Sequence, residues 1–142
     1  MREEGRNMFP EDLILTSGNR EEIFEMRPDY PFCIRDVISR YGEKQLAPWH
    51  WHEEFEVIHI VEGSMKLQVL SETFTIHEGE IAVINANALH CASGDPYCKL
   101  QSLVFSPLLI TGNVNSAFAS RYILPLISCT RFSAYGKTCT SQ

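Results

Sequence analysis

The sequence predicts an all-β protein, either an antiparallel sandwich or a small barrel. Between Ile34 and Ser106, short segments rich in Val, Ile, Phe and Leu follow one another at even spacing. Turn-forming residues separate these segments, and no helix-length segment intervenes as a βαβ unit would require. The chain has 142 residues, which suits a single domain with a core of its own.

The elements are expected in the following order. Residues 1–31 are polar and mixed, typical of an N-terminal arm, and residues 32–106 form the barrel. Six strands are expected, at 34–41, 54–62, 65–70, 73–76, 80–84 and 98–105. Two of the turns between them are Glu62-Gly63-Ser64 and Ser93-Gly94-Asp95-Pro96.

Residues 107–142 have a different character and predict a short helical tail. The segment 116–124 predicts a helix that ends before Pro125, because the residue before a proline disfavours the helical conformation. Residues 129–142 show no clear element.

Composition and charge exclude several classes of protein. Hydrophobic residues make up 44% of the chain and include 8 Phe and 5 Tyr, a composition that builds a core and excludes extensive disorder. A net charge of −6 argues against direct binding to nucleic acid, which needs clustered basic residues. No segment of 18 apolar residues predicts a membrane span, and no secretory signal is visible. The five cysteines contain no CxxC pair, so we expect reduced thiols in a cytoplasmic protein.

The candidate site begins in the segment from Pro48 to Glu56. Side chains alternate between the two faces of a strand, so His50, His52, Glu56 and Ile58 share one face. If that face lines a barrel, two imidazoles and a carboxylate point into one cavity. Together with a third imidazole they would form a donor set that suits Zn, Ni, Fe or Mn.

Two geometric conditions must be met for these residues to form one site. On a straight strand His52 and Glu56 would lie roughly 13 Å apart, so the strand must bend or bulge between them. Glu54 is the alternative carboxylate if the strand stays straight. The third imidazole, His90, follows an Asn-rich turn, and a return strand could bring it to His50.

Other side chains with chemical potential are expected to have ordinary roles. Trp49 and Trp51 have the opposite parity, so they should pack against the arm or the other sheet. His59 shares their face and His77 precedes a turn, which predicts a packed or exposed position for each. Cys91 points away from His90 on a regular strand and should be a small buried apolar residue.

The spacing of the candidate residues resembles that of the cupin superfamily. Its first motif has two histidines one residue apart, a glutamate four residues later and a glycine seven residues after that, which His50, His52, Glu56 and Gly63 reproduce. The resemblance extends over about residues 42–94. It implies a cupin-like double-stranded β-barrel, or jelly roll.

The second cupin motif is matched in part. Gly79 and His90 lie at the expected steps, whereas Asn85 and Asn87 replace a proline and a glycine. Gly94 replaces the final asparagine of the motif. Asparagine tolerates left-handed backbone angles, so these replacements still suit a tight turn.

A narrower resemblance is to the N-terminal sensor domain of AraC-family transcriptional regulators. It rests on the segments 48–57, 60–63 and 118–126. The resemblance implies a non-enzymatic domain that binds a small-molecule effector in the barrel and forms a homodimer. DNA would be bound only by a C-terminal helix-turn-helix domain absent from this chain, which we expect to be an excised or truncated regulatory part. The effector would contact His50, His52, Glu56, Ile58 and His90.

Three alternatives stay open at the level of sequence. The histidines and Glu56 could hold a divalent metal, or they could line a metal-free polar pocket. The chain could instead be a small metal-dependent cupin enzyme, such as an isomerase, an epimerase or a dioxygenase. It could also be a dimerisation module with a vestigial pocket, for which the apolar residues Phe118, Tyr122 and Leu126 would supply the contact.

Overall fold

The protein is described here from a computed structural model that covers residues 7–8, 12–23, 26–27, 29–39, 45–112, 115–129 and 134–137. Within these residues the fold is all-β and nearly all antiparallel, as predicted. The strands are β1 (Asn7–Met8), β2 (Phe32–Ile38), β3 (Gln45–His50), β4 (Phe55–Val69), β5 (Glu72–His77), β6 (Ile81–Ile84), β7 (His90–Phe105) and β8 (Ala134–Lys137). Two short helices, α1 (Leu108–Thr111) and α2 (Leu124–Ile127), follow β7, and a π-helical turn (Ala119–Ile123) leads into α2.

The two longest strands, β4 and β7, organise the sheet. They pair with each other along their whole length, from Phe55 opposite Phe105 to Val69 opposite His90. The other edge of β7 pairs with β2 at one end and with β3 at the other. The other edge of β4 pairs in the same way with β6 and with β5. Because of this pairing, strands that are distant in sequence surround one interior.

Strand β4 contains a bulge where the sequence predicted a turn. The register against β7 shifts on both sides of Gly63, which has a φ of +74°. A Cβ atom at this position would collide with the carbonyl oxygen of Tyr97, so glycine is required there. The bulge reverses which side chains face the interior. Even-numbered residues such as Ile58 and Ile60 are buried before it, and odd-numbered residues such as Met65 and Leu67 are buried after it.

Several boundaries predicted from sequence are therefore wrong. The expected strands 54–62 and 65–70 form one strand, because the bulge at Gly63 absorbs the residue that would otherwise end the pairing. The expected turn at 93–96 lies inside β7, where Gly94 continues the ladder opposite Met65. Strand β3 was not among the six expected, and β8 falls in the tail where no element was expected.

The tail packs onto the barrel beside β6. The predicted helix does not end before Pro125, because Pro125 lies in the first turn of α2, where the missing N–H is not needed. Ile123 is buried with Phe55 and Ala86 in a small cluster of its own. The buried side chain of Asn85 donates a hydrogen bond from Nδ2 to the carbonyl oxygen of Leu126, at 3.1 Å.

The apolar core lies inside the barrel. Its buried members come from strands β3 to β7 and, at Ala88, from the turn between β6 and β7, and they pack against one another. They are Leu46, Ile58, Ile60, Met65, Leu67, Val69, Ile76, Ala82, Ile84, Ala88, Ala92, Cys98 and Leu100. Among the described helices, none combines the length and the apolar character that a membrane crossing requires.

Candidate functional site

Three histidines meet inside one end of the barrel. His50, the last residue of β3, pairs directly with His90, the first residue of β7, and their ring centroids lie 4.2 Å apart. His52 follows β3 and completes the group, with its ring 5.2 Å from that of His90. All three side chains are buried, and one nitrogen of each lies within 4.8 Å of those of the others. The structure thus brings the third imidazole to the first two, as the sequence predicted.

The three imidazoles are held in the same way by the backbone. In each ring, Nδ1 lies within hydrogen-bond distance of a carbonyl oxygen two residues away in sequence. The partners are Pro48 for His50 at 2.7 Å, Glu54 for His52 at 3.1 Å, and Ala88 for His90 at 2.7 Å. A carbonyl can only accept, so Nδ1 carries the hydrogen in each ring, and in a neutral ring such as that of His50 the lone pair is then at Nε2. This is the tautomer that binds a metal through Nε2.

The carboxylate of Glu56 lies against the Nε2 atoms. Its Oε2 is 3.2 Å from Nε2 of His52 and 3.4 Å from Nε2 of His90. Its Oε1 accepts a hydrogen bond from the Ser102 hydroxyl at 2.6 Å. The hydroxyl therefore fixes one oxygen of the carboxylate and leaves the other directed at the imidazoles.

The bend that the sequence required between His52 and Glu56 is made by a break between two strands, not by a bulge. Strand β3 ends at His50 and β4 begins at Phe55, so His52 lies in the connection. This connection turns His52 back over the first inward residue of β4. Glu54, the alternative carboxylate, lies on the Nδ1 side of His52 at 3.8 Å and is partly exposed.

Nε2 of His90 is a buried polar atom without a hydrogen-bond partner among the described residues. Oε2 of Glu56 lies 3.4 Å from it. An unsatisfied nitrogen in an apolar interior is costly unless a ligand takes its lone pair. Three imidazoles and one carboxylate are also the types of donor that divalent transition metals prefer. The residues present therefore fit a metal ion.

The pKa values of the residues in the cluster are shifted in different directions. Burial, and then the charge of His90, lower the pKa of His50 to about 4, so its ring is neutral near pH 7. Burial also acts to lower the pKa of His52, but its hydrogen bond to Glu56 and the charge of that carboxylate outweigh burial and raise it. Burial acts to raise the pKa of Glu56, yet the contacts with His52 and His90 hold it well below its ordinary value.

A cavity of about 50 Å³ lies next to the cluster. Ile58 lines it, as the alternation predicted, together with other apolar side chains of the core such as Leu46, Met65 and Leu100. A single water needs about 10 to 15 Å³ of such space, so the cavity has room for a few waters or a small ion. It combines a polar end with an apolar floor, an arrangement typical of small-molecule sites.

Sequence reasoning missed a buried ion pair on the wall of this cavity. Nη1 of Arg35 donates to Oε1 of Glu21, and both side chains are buried. Oε2 of Glu21 lies 3.6 Å from Nε2 of His50. Burial raises the pKa of Glu21 more than Arg35 lowers it. A signal for Arg35 was available, because its parity with the buried Cys33 places a charged residue on the inner face of β2.

Glu21 reaches the cavity because the N-terminal arm is hydrogen-bonded to the rim. The backbone N–H of Glu21 donates to the carbonyl of Trp51 at 2.8 Å, and the N–H of Trp51 donates to the carbonyl of Asn19 at 3.0 Å. The indole Nε1 of Trp51 donates to the carbonyl of Gly18 at 2.9 Å. Trp51 therefore packs against the arm, as predicted. No signal in the sequence indicated which residue of the arm enters the barrel.

The remaining candidates lie outside the cavity. His59 and His77 are exposed, as the sequence allowed. Trp49 is half exposed at the rim, so the expectation that it packs is only partly met. Cys91 points away from His90, as predicted, but it is half-buried and donates to Oε1 of Gln68, because the outer face of β7 is open to solvent there.

Fold and site together define a cupin-type β-barrel with a candidate metal centre in its interior. A comparison with known families agrees: residues 37–96 match the model of the Cupin domain family. The matched segment begins in β2 and ends within β7, so this part of the barrel is similar to a Cupin domain.

Relatives of the chain were found among curated proteins and among solved structures. The chain is 38% identical over 75 residues to the uncharacterized HTH-type transcriptional regulator YdeC of Bacillus subtilis (strain 168). The match covers 52% of this chain and 26% of that protein, so the chain spans about a quarter of its length.

The solved structures show similarity in fold. The cupin domain of Cnp3 from Schizosaccharomyces pombe has a TM-score of 0.51 and 15% identity, covering 63% of this chain and 61% of that one. An HTH_3 family transcriptional regulator from Vibrio cholerae has a TM-score of 0.48 and 20% identity, covering 60% and 48%. We conclude from the first of these only that the fold is shared, and we draw no conclusion from the second.

Proposed function

We propose that this chain is the effector-sensing domain of an AraC-type transcriptional regulator and that it has no catalytic activity of its own. The observation that carries the proposal is a cavity in the barrel with His50, His90 and Glu56 at one end, where His52 completes the imidazole cluster, and an apolar floor at the other. The similarity to a helix-turn-helix regulator supports a role in transcription. The AraC type rests on the resemblance of the segments around His50 and Phe118.

The site would hold a divalent ion, Zn, Ni, Fe or Mn, through Nε2 of His50, His52 and His90 and a carboxylate oxygen of Glu56. Support comes from the tautomer that the backbone carbonyls select and from the orphaned Nε2 of His90. A divalent ion bound by neutral imidazoles and one carboxylate keeps a net positive charge. It would attract an anionic or polar group of the effector to this end of the cavity.

Signalling would depend on a difference in affinity between two states of the domain. An effector can shift an equilibrium only if it binds one state more tightly than the other. The states would differ in the position of the arm or in the dimer arrangement. DNA would be contacted by a helix-turn-helix domain that lies outside this sequence, because the net charge of −6 does not favour direct contact.

The tail is the proposed surface for a homodimer. It exposes several large apolar side chains on the outside of the barrel, an unusual arrangement for a surface that contacts only water. They are Leu108, Leu109, Ile110, Phe118, Tyr122, Leu124 and Leu126.

Metal analysis of the purified chain, followed by effector screening, tests the proposal. We expect close to one equivalent of a transition metal per chain, lost in His50→Ala and kept in His59→Ala, which removes an exposed histidine. Calorimetric titration with sugars, amino acids and small acids should then find a ligand without turnover. A chain that binds neither metal nor any of these compounds would contradict the proposal.

One observation favours a second candidate, a metal-dependent cupin enzyme. The structure places a second polar pair, Glu21 and Arg35, beside His50. A carboxylate and a guanidinium next to a metal could move a proton or hold an anionic substrate. Steady turnover of a candidate substrate that is abolished in His52→Ala would favour this alternative.

A further inference from the structure

The ion pair between Glu21 and Arg35 is buried, although both charged groups would be strongly hydrated in water. The two side chains are 5% and 7% exposed, and both line the cavity beside His50. Arg35 is part of the sheet, in β2, whereas Glu21 belongs to the arm, whose backbone is hydrogen-bonded to the rim at Trp51.

Stability alone is a weak explanation for such a pair. Removing two charges from water costs free energy, and their mutual attraction offsets this cost only in part. Well-packed apolar residues at the two positions would stabilise the barrel at least as well. The neighbouring interior shows that apolar packing was available, since Leu46, Met65 and Leu100 surround the same cavity.

The size of the cavity points to the arm as the part that moves. About 50 Å³ accommodates a few waters, whereas ligand sites commonly measure about 300 to 1,000 Å³. Two of the lining residues, Leu13 and Glu21, come from the arm. Their displacement would enlarge the cavity and expose the guanidinium of Arg35 at the same time.

We propose that the effector is a small carboxylate with a short apolar body, and that its carboxylate replaces Glu21 on Arg35. The carboxylate of Glu21 then takes the place of the effector's carboxylate on Arg35 while no effector is bound. The inference rests on the proposed sensing function and specifies the chemical class of its ligand.

The chemistry of the site matches this class. A guanidinium presents two parallel N–H donors that fit the two oxygens of a carboxylate. The oxygen of Glu21 that faces Nε2 of His50 shows that a carboxylate on Arg35 reaches the imidazole cluster as well. The floor of Leu46, Met65 and Leu100 would cover a few methylene groups.

The test is calorimetric titration of the metal-loaded 142-residue chain with acetate, propionate and butyrate, each compared with its amide. Glu21→Gln removes the internal carboxylate but keeps its shape, so at least one acid should bind at least about tenfold more tightly than it binds the unmodified chain. Arg35→Lys keeps the charge but loses the planar fork, so it should weaken the same acid by at least about tenfold. The amides should not bind.

Glu53→Gln is the matched control, because Glu53 forms an exposed ion pair with Arg20 of the same arm. It should leave every affinity unchanged. If Arg35→Lys does not fold, as judged by its melting curve, the inference is tested by comparing the acid affinities of Glu21→Gln and Glu53→Gln.

Two results would overturn the inference. One is an acid that binds Glu21→Gln no more tightly than the unmodified chain, or no binding of any acid to Glu21→Gln. The other is an effector from the wider screen whose affinity is the same in Glu21→Gln and Arg35→Lys. That second result would leave the sensing function in place and reject only the carboxylate class.

Discussion

The two ends of the barrel interior are built from opposite kinds of side chain. At one end Ile60, Met65, Leu67 and Ile84 are almost completely buried against one another. At the other end lie three imidazoles, two carboxylates and a guanidinium, nearly as inaccessible to water. Strands β4 and β7 run along both ends, and the polar end also takes side chains from β2, β3 and the arm.

The two ends of the interior are expected to have different roles, one in stability and the other in binding. Burial of apolar area contributes about 25 cal/mol per Å², so the apolar end should supply most of the free energy of folding. Buried polar groups lose hydration and recover it only through their hydrogen bonds. The polar end should therefore contribute little to stability and determine what the cavity binds.

The largest expected effect is a loss of stability from the apolar end. Leu67→Ala should lower the free energy of unfolding by about 2 to 5 kcal/mol, because it removes a buried apolar side chain from the core and enlarges the existing cavity. Denaturant unfolding followed by circular dichroism measures it. Lys66→Ala, on the exposed face of the same strand, should change stability by less than about 0.5 kcal/mol. Equal losses of stability in the two variants would contradict the prediction that the buried side chains of β4 supply the free energy of folding.

The next effect is on metal binding at the polar end. His50→Ala should weaken binding of Zn²⁺ or Ni²⁺ by at least about 100-fold, since it removes one of the proposed ligands. Its cost to the stability of the metal-free protein should be smaller than that of Leu67→Ala. Competition with a chromogenic chelator measures the affinity, with His59→Ala as control. An unchanged affinity would exclude His50 as a ligand.

A smaller effect is expected from the hydroxyl that positions Glu56. Ser102→Ala removes the 2.6 Å hydrogen bond to Oε1, which should weaken metal binding by about 10-fold to 100-fold. The same chelator competition applies. Gln101→Ala, on the exposed side of the same strand, is the control. If both variants bind the metal as tightly as the unmodified chain does, the position of the Glu56 carboxylate does not depend on Ser102.

The smallest effect concerns access of reagents to the apolar end. Burial raises the pKa of Cys98 to about 12, so its reactive thiolate form is scarce at pH 8 and remains so at pH 9. Iodoacetamide should label the exposed Cys129 within minutes and leave Cys98 unlabelled until the protein is unfolded. Peptide mass spectrometry distinguishes the two. Early labelling of Cys98 would mean that this end opens readily.

Much of the candidate site was predictable because the alternation of a strand is a local property. Equal parity placed His50, His52, Glu56 and Ile58 on one face, and the structure places His50, Glu56 and Ile58 at the cavity, with His52 in contact with Glu56. The need for a bend before Glu56 followed from the rise per residue alone. The position of His90 followed from a motif spacing and not from any local rule.

Other features could not be predicted because they depend on contacts between distant segments. A glycine such as Gly63 is as common in a turn as in a bulge, and only the close approach of Tyr97 requires the bulge. Asn85 reads as a turn residue, and its bond to Leu126 becomes visible only when the tail packs. Glu21 resembles any polar residue of an arm until the arm is laid across the rim.

The sequence by itself determined the all-β class, the faces of the strands and the set of residues with metal-binding chemistry. Only the tertiary structure decided that His90 pairs with His50, and that Glu21 and Arg35 meet inside the barrel. The physical reason is the range of the interactions. Side-chain alternation is set within a few bonds, whereas the pairing of strands is a property of the whole closed sheet.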